Sequence, residues 1–140
     1  MEREYDLEWI CPFPTIGKGK KANQLCTVNN LPYFYRYGIT RIKNTFKEQL
    51  KEWYIPKHTG EPTRSALVIF RIKRKNKKRI DPDSAALPQK WIADVLVEQG
   101  YLIDDDQIRY ILEPTEYSCE GVDTSIYCRV KLTKGVDHDY

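Results

Sequence analysis

The chain has 140 residues, enough for one ordinary domain with a continuous core and too few for two independent ones. Hydrophobic residues make up 41% and charged residues 31%, and no apolar run approaches the ~20 residues that cross a bilayer, so disordered, collagenous and membrane-spanning classes are all disfavoured. The formal charge of +3 is mild but uneven, because Arg71-Ile72-Lys73-Arg74-Lys75-Asn76-Lys77-Lys78-Arg79 concentrates positive charge just ahead of a group of aspartates. Met1-Glu2-Arg3-Glu4 lacks the basic-then-apolar plan of a signal peptide, which makes the cytoplasm the expected compartment. Cys11, Cys26, Cys119 and Cys128 form no C-x-x-C pair, and only His58 and His138 could join them, so free thiols are expected in place of a zinc site or a disulfide framework.

Tyr5, Leu7 and Trp9 alternate with Asp6 and Glu8, the period of a half-buried strand that Pro12 and Pro14 would end. A long polar stretch from Ile16 to Pro32 follows, and its Lys18, Lys20 and Lys21 are candidate phosphate contacts. Ile39, Ile42, Phe46, Leu50 and Trp53 fall at three- and four-residue steps and predict one amphipathic helix. After a turn through Pro56, Gly60 and Pro62, Leu67-Val68-Ile69-Phe70 is apolar on both faces and predicts a central strand. A second helix is predicted from about Ser84 or Leu87 to Gln99, with Ile92, Val95 and Leu96 inward and Gly100 as its terminator. Strands at Ile108–Leu112 and Ile126–Leu132 complete the chain. The order strand, helix, strand, helix, strand, strand predicts an α+β two-layer sandwich, a mixed β-sheet with helices packed on one face.

Two acidic clusters bracket the second helix: Asp81-Pro82-Asp83 before it and Asp104-Asp105-Asp106 after it. If both ends of that connection return to one edge of the sheet, the carboxylates repel one another unless a divalent cation joins them, and oxygen-only ligands suit Mg2+ or Mn2+. Ordinary capping and turn chemistry is the competing explanation for the same residues. The basic run leading into Asp81 would draw a polyanion to this place, which makes nucleic acid the expected partner. Phosphate contacts of this kind read shape and charge and not base sequence.

The stretch Arg79-Ile80-Asp81-Pro82-Asp83-Ser84, then Lys90 and Asp94, then Gly100-Tyr101-Leu102-Ile103-Asp104-Asp105-Asp106-Gln107-Ile108, resembles the signature of the RusA family of Holliday-junction resolvases. That signature opens on Asp-x-Asp-Asn, continues in a helix with Lys and Asp one turn apart, and closes on Gly, hydrophobics and Asp-Asp. The likeness covers about thirty residues in order; the N-terminal half agrees only in general plan. Ser84 stands where the pattern has Asn, and Pro88 precedes Lys90. The resemblance implies Asp81, Asp83 and Asp105 as metal ligands and catalytic residues, Lys90 as the catalytic lysine, and Asp94 and Asp104 as supporting residues. It further implies Mg2+-dependent hydrolysis of branched DNA by a homodimer in DNA recombination and repair, and a family frequent in prophages. Lys18, Lys20, Lys21, Arg71, Lys73, Arg74, Lys75, Lys77, Lys78 and Arg79 are the expected DNA contacts. Two alternatives stay open from the residues alone: a catalytically inactive junction- or DNA-binding protein, and a general flap or single-strand nuclease.

Overall fold

A computed structural model describes residues 4–16, 24–26, 38–74, 80, 82–117 and 124–133. The main sheet contains β1 (Leu7–Pro12), β4 (Ser65–Lys73), β5 (Ile108–Leu112) and β6 (Ser125–Thr133), in the order β1-β6-β4-β5. β6 runs antiparallel to both β1 and β4, whereas β4 and β5 are parallel, so the sheet is mixed as expected. Two short strands, β2 (Thr15–Ile16) and β3 (Gln24–Leu25), pair separately.

Strand register places one residue parity on each face. Ala66, Val68, Phe70 and Ile72 of β4 lie beside Leu132, Val130, Cys128 and Ile126 of β6, and Trp9 and Cys11 extend the row onto β1. All of these are buried, and they share one core with Ile42, Phe46 and Leu50 of the first helix and Trp91, Ile92, Val95 and Leu96 of the second. Burying each large apolar side chain contributes about 1.5–3 kcal/mol, so this shared face holds the two layers together. The opposite parity of β4, including Leu67, Ile69 and Arg71, is half-buried and carries no helix. The architecture is therefore an α+β two-layer sandwich with both helices on one face.

The first helix, α1 (Ile39–Gln49), continues into a π-helical turn at Leu50–Tyr54. This wider turn ends the expected apolar stripe. Ile55, whose N–H bonds to the Leu50 carbonyl at 2.6 Å, becomes fully buried, while Trp53, predicted to face inward, is 70% exposed. The second helix, α2 (Ala86–Glu98), follows a 3-10 turn at Pro82–Ala85, so helical backbone begins ahead of Pro88. Pro88 is tolerated because it lies in the first turn, where its missing N–H has no intrahelical partner to lose. Gly100 at φ 85 terminates α2 in a backbone conformation that costs a side-chain-bearing residue strain. Phe46 and Trp91 join the helices with ring centroids 5.8 Å apart, and Glu98 receives Lys47 and, at 2.5 Å, Lys51.

Candidate active site

The connection from β4 through α2 to β5 determines where each predicted site residue falls. Because β4 and β5 are parallel, α2 must return the chain from the C-terminal end of β4 to the N-terminal end of β5. Asp83 lies in the turn that begins this return. Leu102 bridges to Thr63 just ahead of β4, and Ile108 sits beside Ala66, so Asp104, Asp105 and Asp106 occupy the turn at its end. α2 has 13 residues, a length of roughly 20 Å at 1.5 Å per residue, and residues 99–103 follow it before the second acidic group. Among the described residues no group of three or more His, Cys, Asp or Glu side chains is placed to hold a metal ion. Asp81 lies outside the described residues, so the full predicted ligand set is not on view.

Local roles are visible for several of these residues. Asp104 Oδ1 accepts the Asp105 N–H at 2.7 Å, which is ordinary turn chemistry for an aspartate. The N-cap of α2 is Ala85, which makes no side-chain cap bond. Ser84 is buried and Asp83 exposed. Lys90 is exposed and Asp94 half-buried on α2, one turn apart as the sequence implies.

What the fold does bring together is Asp94, Asp105 and Tyr110. Tyr110 lies on the helix-covered face of β5, beside Val68. Burial first, and then the negative charges of Asp105 and Asp94, push its phenol up to about 12. The two carboxylates thus act on one hydroxyl although eleven positions separate them in sequence. Charge patterning does not single out Tyr110; its parity with Ile108 and Leu112 is the sequence signal that it faces α2.

The basic residues also differ from a solvated comb. Arg71 donates to Glu113 through Nε at 3.2 Å and Nη2 at 3.0 Å, and Arg129 reaches the same oxygen. Lys73 approaches Glu116 at 3.7 Å. Arg74 is 8% exposed, and its Nε and Nη1 are buried without a hydrogen-bond acceptor. Leaving such donors unmade is costly, so an acceptor from outside the chain would relieve a real penalty. Lys18, Lys20, Lys21, Lys75, Lys77, Lys78 and Arg79 lie outside the described residues.

Elsewhere, a polar cleft of about 540 Å3 is lined by Glu4, Tyr5, Asp6, Glu8, Tyr127 and Arg129 and contains none of the predicted site residues. Cys11, Cys26 and Cys128 are free and buried, as expected, and burial pushes the Cys11 thiol up to about 12 and the Cys26 thiol to about 11. Neither is activated as a nucleophile. No helix formed by the described residues is long and apolar enough to cross a membrane. No protein-family model matches the chain, and no curated protein sequence matches it.

Proposed function

We propose that this chain is a structure-selective DNA endonuclease that resolves four-way junctions with Mg2+, or with Mn2+ in its place, as a two-fold dimer serving recombination and repair in the cytoplasm. The observation that carries the reading is Arg74, a buried guanidinium whose Nε and Nη1 have no acceptor, at the root of the basic run that leads to Asp81-Pro82-Asp83. A phosphate is the group that satisfies such a fork, and a polyanion held there would pass the acidic end of α2. The ordered series Asp81, Asp83, Lys90, Asp94, Asp104 and Asp105 around that helix supports the same reading. A divalent ion, when bound, would supply Lewis acidity at the scissile phosphate. Asp83 and Asp105 would serve one ion either within one chain or across the two protomers of the dimer.

The test is cleavage of a labelled four-way junction with and without Mg2+, alongside linear-duplex and flap substrates. Asp83→Asn and Asp105→Asn are each expected to bind the junction and fail to cut it. Mixing the two variants distinguishes the arrangements: a site shared between protomers regains one intact copy per mixed dimer and nicks one strand, whereas a site within one chain stays dead. No Mg2+-dependent cutting by the wild-type chain would sink the endonuclease reading. The alternative is an inactive junction-binding protein, which junction binding without cleavage would select. Equal cutting of flaps and junctions would point to a general nuclease.

A further inference from the structure

The sheet ends on β5, and no described strand pairs with its outer edge. That edge is apolar and open to solvent: Tyr110 is 39% exposed, Ile111 38% and Leu112 40%. Strands paired in parallel are ordinarily covered, and an uncovered, hydrophobic edge is a template for another strand. Hydrogen bonds show which groups are available. The Glu113 N–H bonds to the Phe70 carbonyl at 2.8 Å, and the Ala66 N–H bonds to the Gln107 carbonyl at 3.2 Å. Odd-numbered residues therefore direct their backbone groups at β4, and Ile108, Tyr110 and Leu112 direct theirs outward.

We propose that the outer edge of β5 is where two copies of this chain associate, strand against strand, antiparallel about Ile111. The segment Arg109-Tyr110-Ile111-Leu112-Glu113 is complementary to itself in that register. Tyr110 of one copy opposes Leu112 of the other, and these outward-facing residues exchange both backbone bonds. Ile111 opposes itself on the two-fold axis, and Arg109 opposes Glu113 twice. Arg71 and Arg129 already meet Glu113, but both do so at Oε1, which leaves Oε2 for the incoming arginine. Among the described residues Arg109 has no ion pair within its own chain. Pro114, which has no N–H, falls opposite Ile108 and closes the paired segment. The helices of both copies land on the same face of one continuous sheet and run antiparallel across the axis.

This surface gives the dimer of the proposed nuclease a location; a monomer would count against both readings, whereas a dimer joined elsewhere would overturn this one alone, and the test uses neither DNA nor Mg2+. Light scattering on the full chain is expected to show a dimer, and Ile111→Lys a monomer with an unchanged far-ultraviolet circular dichroism spectrum. Arg109→Glu, which turns two attractive cross-strand pairs repulsive, should weaken association roughly tenfold. Register is read by mild oxidation: Ile111→Cys places two thiols on residues about 4.5 Å apart at Cα and should give a covalent dimer. Arg109→Cys, displaced from its own copy along the strand, should not. A monomeric wild-type chain overturns the proposal, and so does a dimer that Ile111→Cys does not cross-link.

Discussion

Replacing Arg74 by Met should make the folded chain more stable. The guanidinium is 8% exposed, and two of its nitrogens, Nε and Nη1, are buried without acceptors. Each unmade buried donor costs about 1–3 kcal/mol, and a buried charge without a partner adds to that. Met keeps the length and packing of the arginine stem while removing the donors, so the expected gain is about 2 kcal/mol. At this chain length that corresponds to a rise in Tm of roughly 6 °C. Urea denaturation measures the gain directly, and adding inorganic phosphate should raise the Tm of the wild-type chain but not of Arg74→Met. Junction binding should weaken in the same variant, because a group held at a cost to stability is spent on an external anion. A variant less stable than wild type by a comparable margin would refute the reasoning, since it would mean that Arg74 satisfies the interior of the protein.

Three further outcomes follow from the geometry. Tyr110 should ionise near 12 while an ordinary tyrosine ionises near 10.0; the phenolate absorbance lost in Tyr110→Phe reads this, and Asp105→Asn should bring the transition down. The sign for stability is a loss on raising the pH above about 10, because the unfolded chain releases that proton first; the loss should shrink in Tyr110→Phe, and an unaltered urea midpoint across that range in the wild-type chain would contradict it. Gly100→Ala should cost about 1 kcal/mol or somewhat more by thermal denaturation. The new Cβ meets only His58 Cβ at an ordinary 3.9 Å, so the penalty is backbone strain at φ 85. Phe70→Ala, at a fully buried position on the central strand, should cost about 3–5 kcal/mol; a smaller loss in urea would mean the two layers close over the gap.

Much of the framework was legible because it depends on near neighbours in the chain. The double-sided apolar run at Leu67–Phe70 marked β4 as internal, and it lies between β6 and β5. The stripe of Ile92, Val95 and Leu96 with Gly100 after it marked α2 and its end. Alternation along Ile126–Leu132 gave β6 and the face it buries. The exception was Trp53, where a local change of helical pitch broke a periodicity that the residue types alone still satisfied.

The candidate site was only partly legible. Residue order brought Asp83, Lys90, Asp94 and Asp105 into view, and the i to i+4 spacing of Lys90 and Asp94 holds on α2. Sequence proximity does not say which end of a connection a residue occupies. The parallel pairing of β4 with β5 placed Asp83 ahead of α2 and Asp105 in the turn before β5, and it drew Asp94 and Asp105 toward Tyr110. Pairing between distant segments likewise decided that Arg71 and Lys73 meet Glu113 and Glu116, and that Arg74 is buried with its Nε and Nη1 unpaired. The amino-acid sequence by itself determined the elements and their buried faces, because hydrophobic periodicity is a property of consecutive residues. Only the tertiary structure decided which charges are neutralised, which is orphaned and which strand edge lies open, because those depend on the direction in which strands far apart in the chain pair.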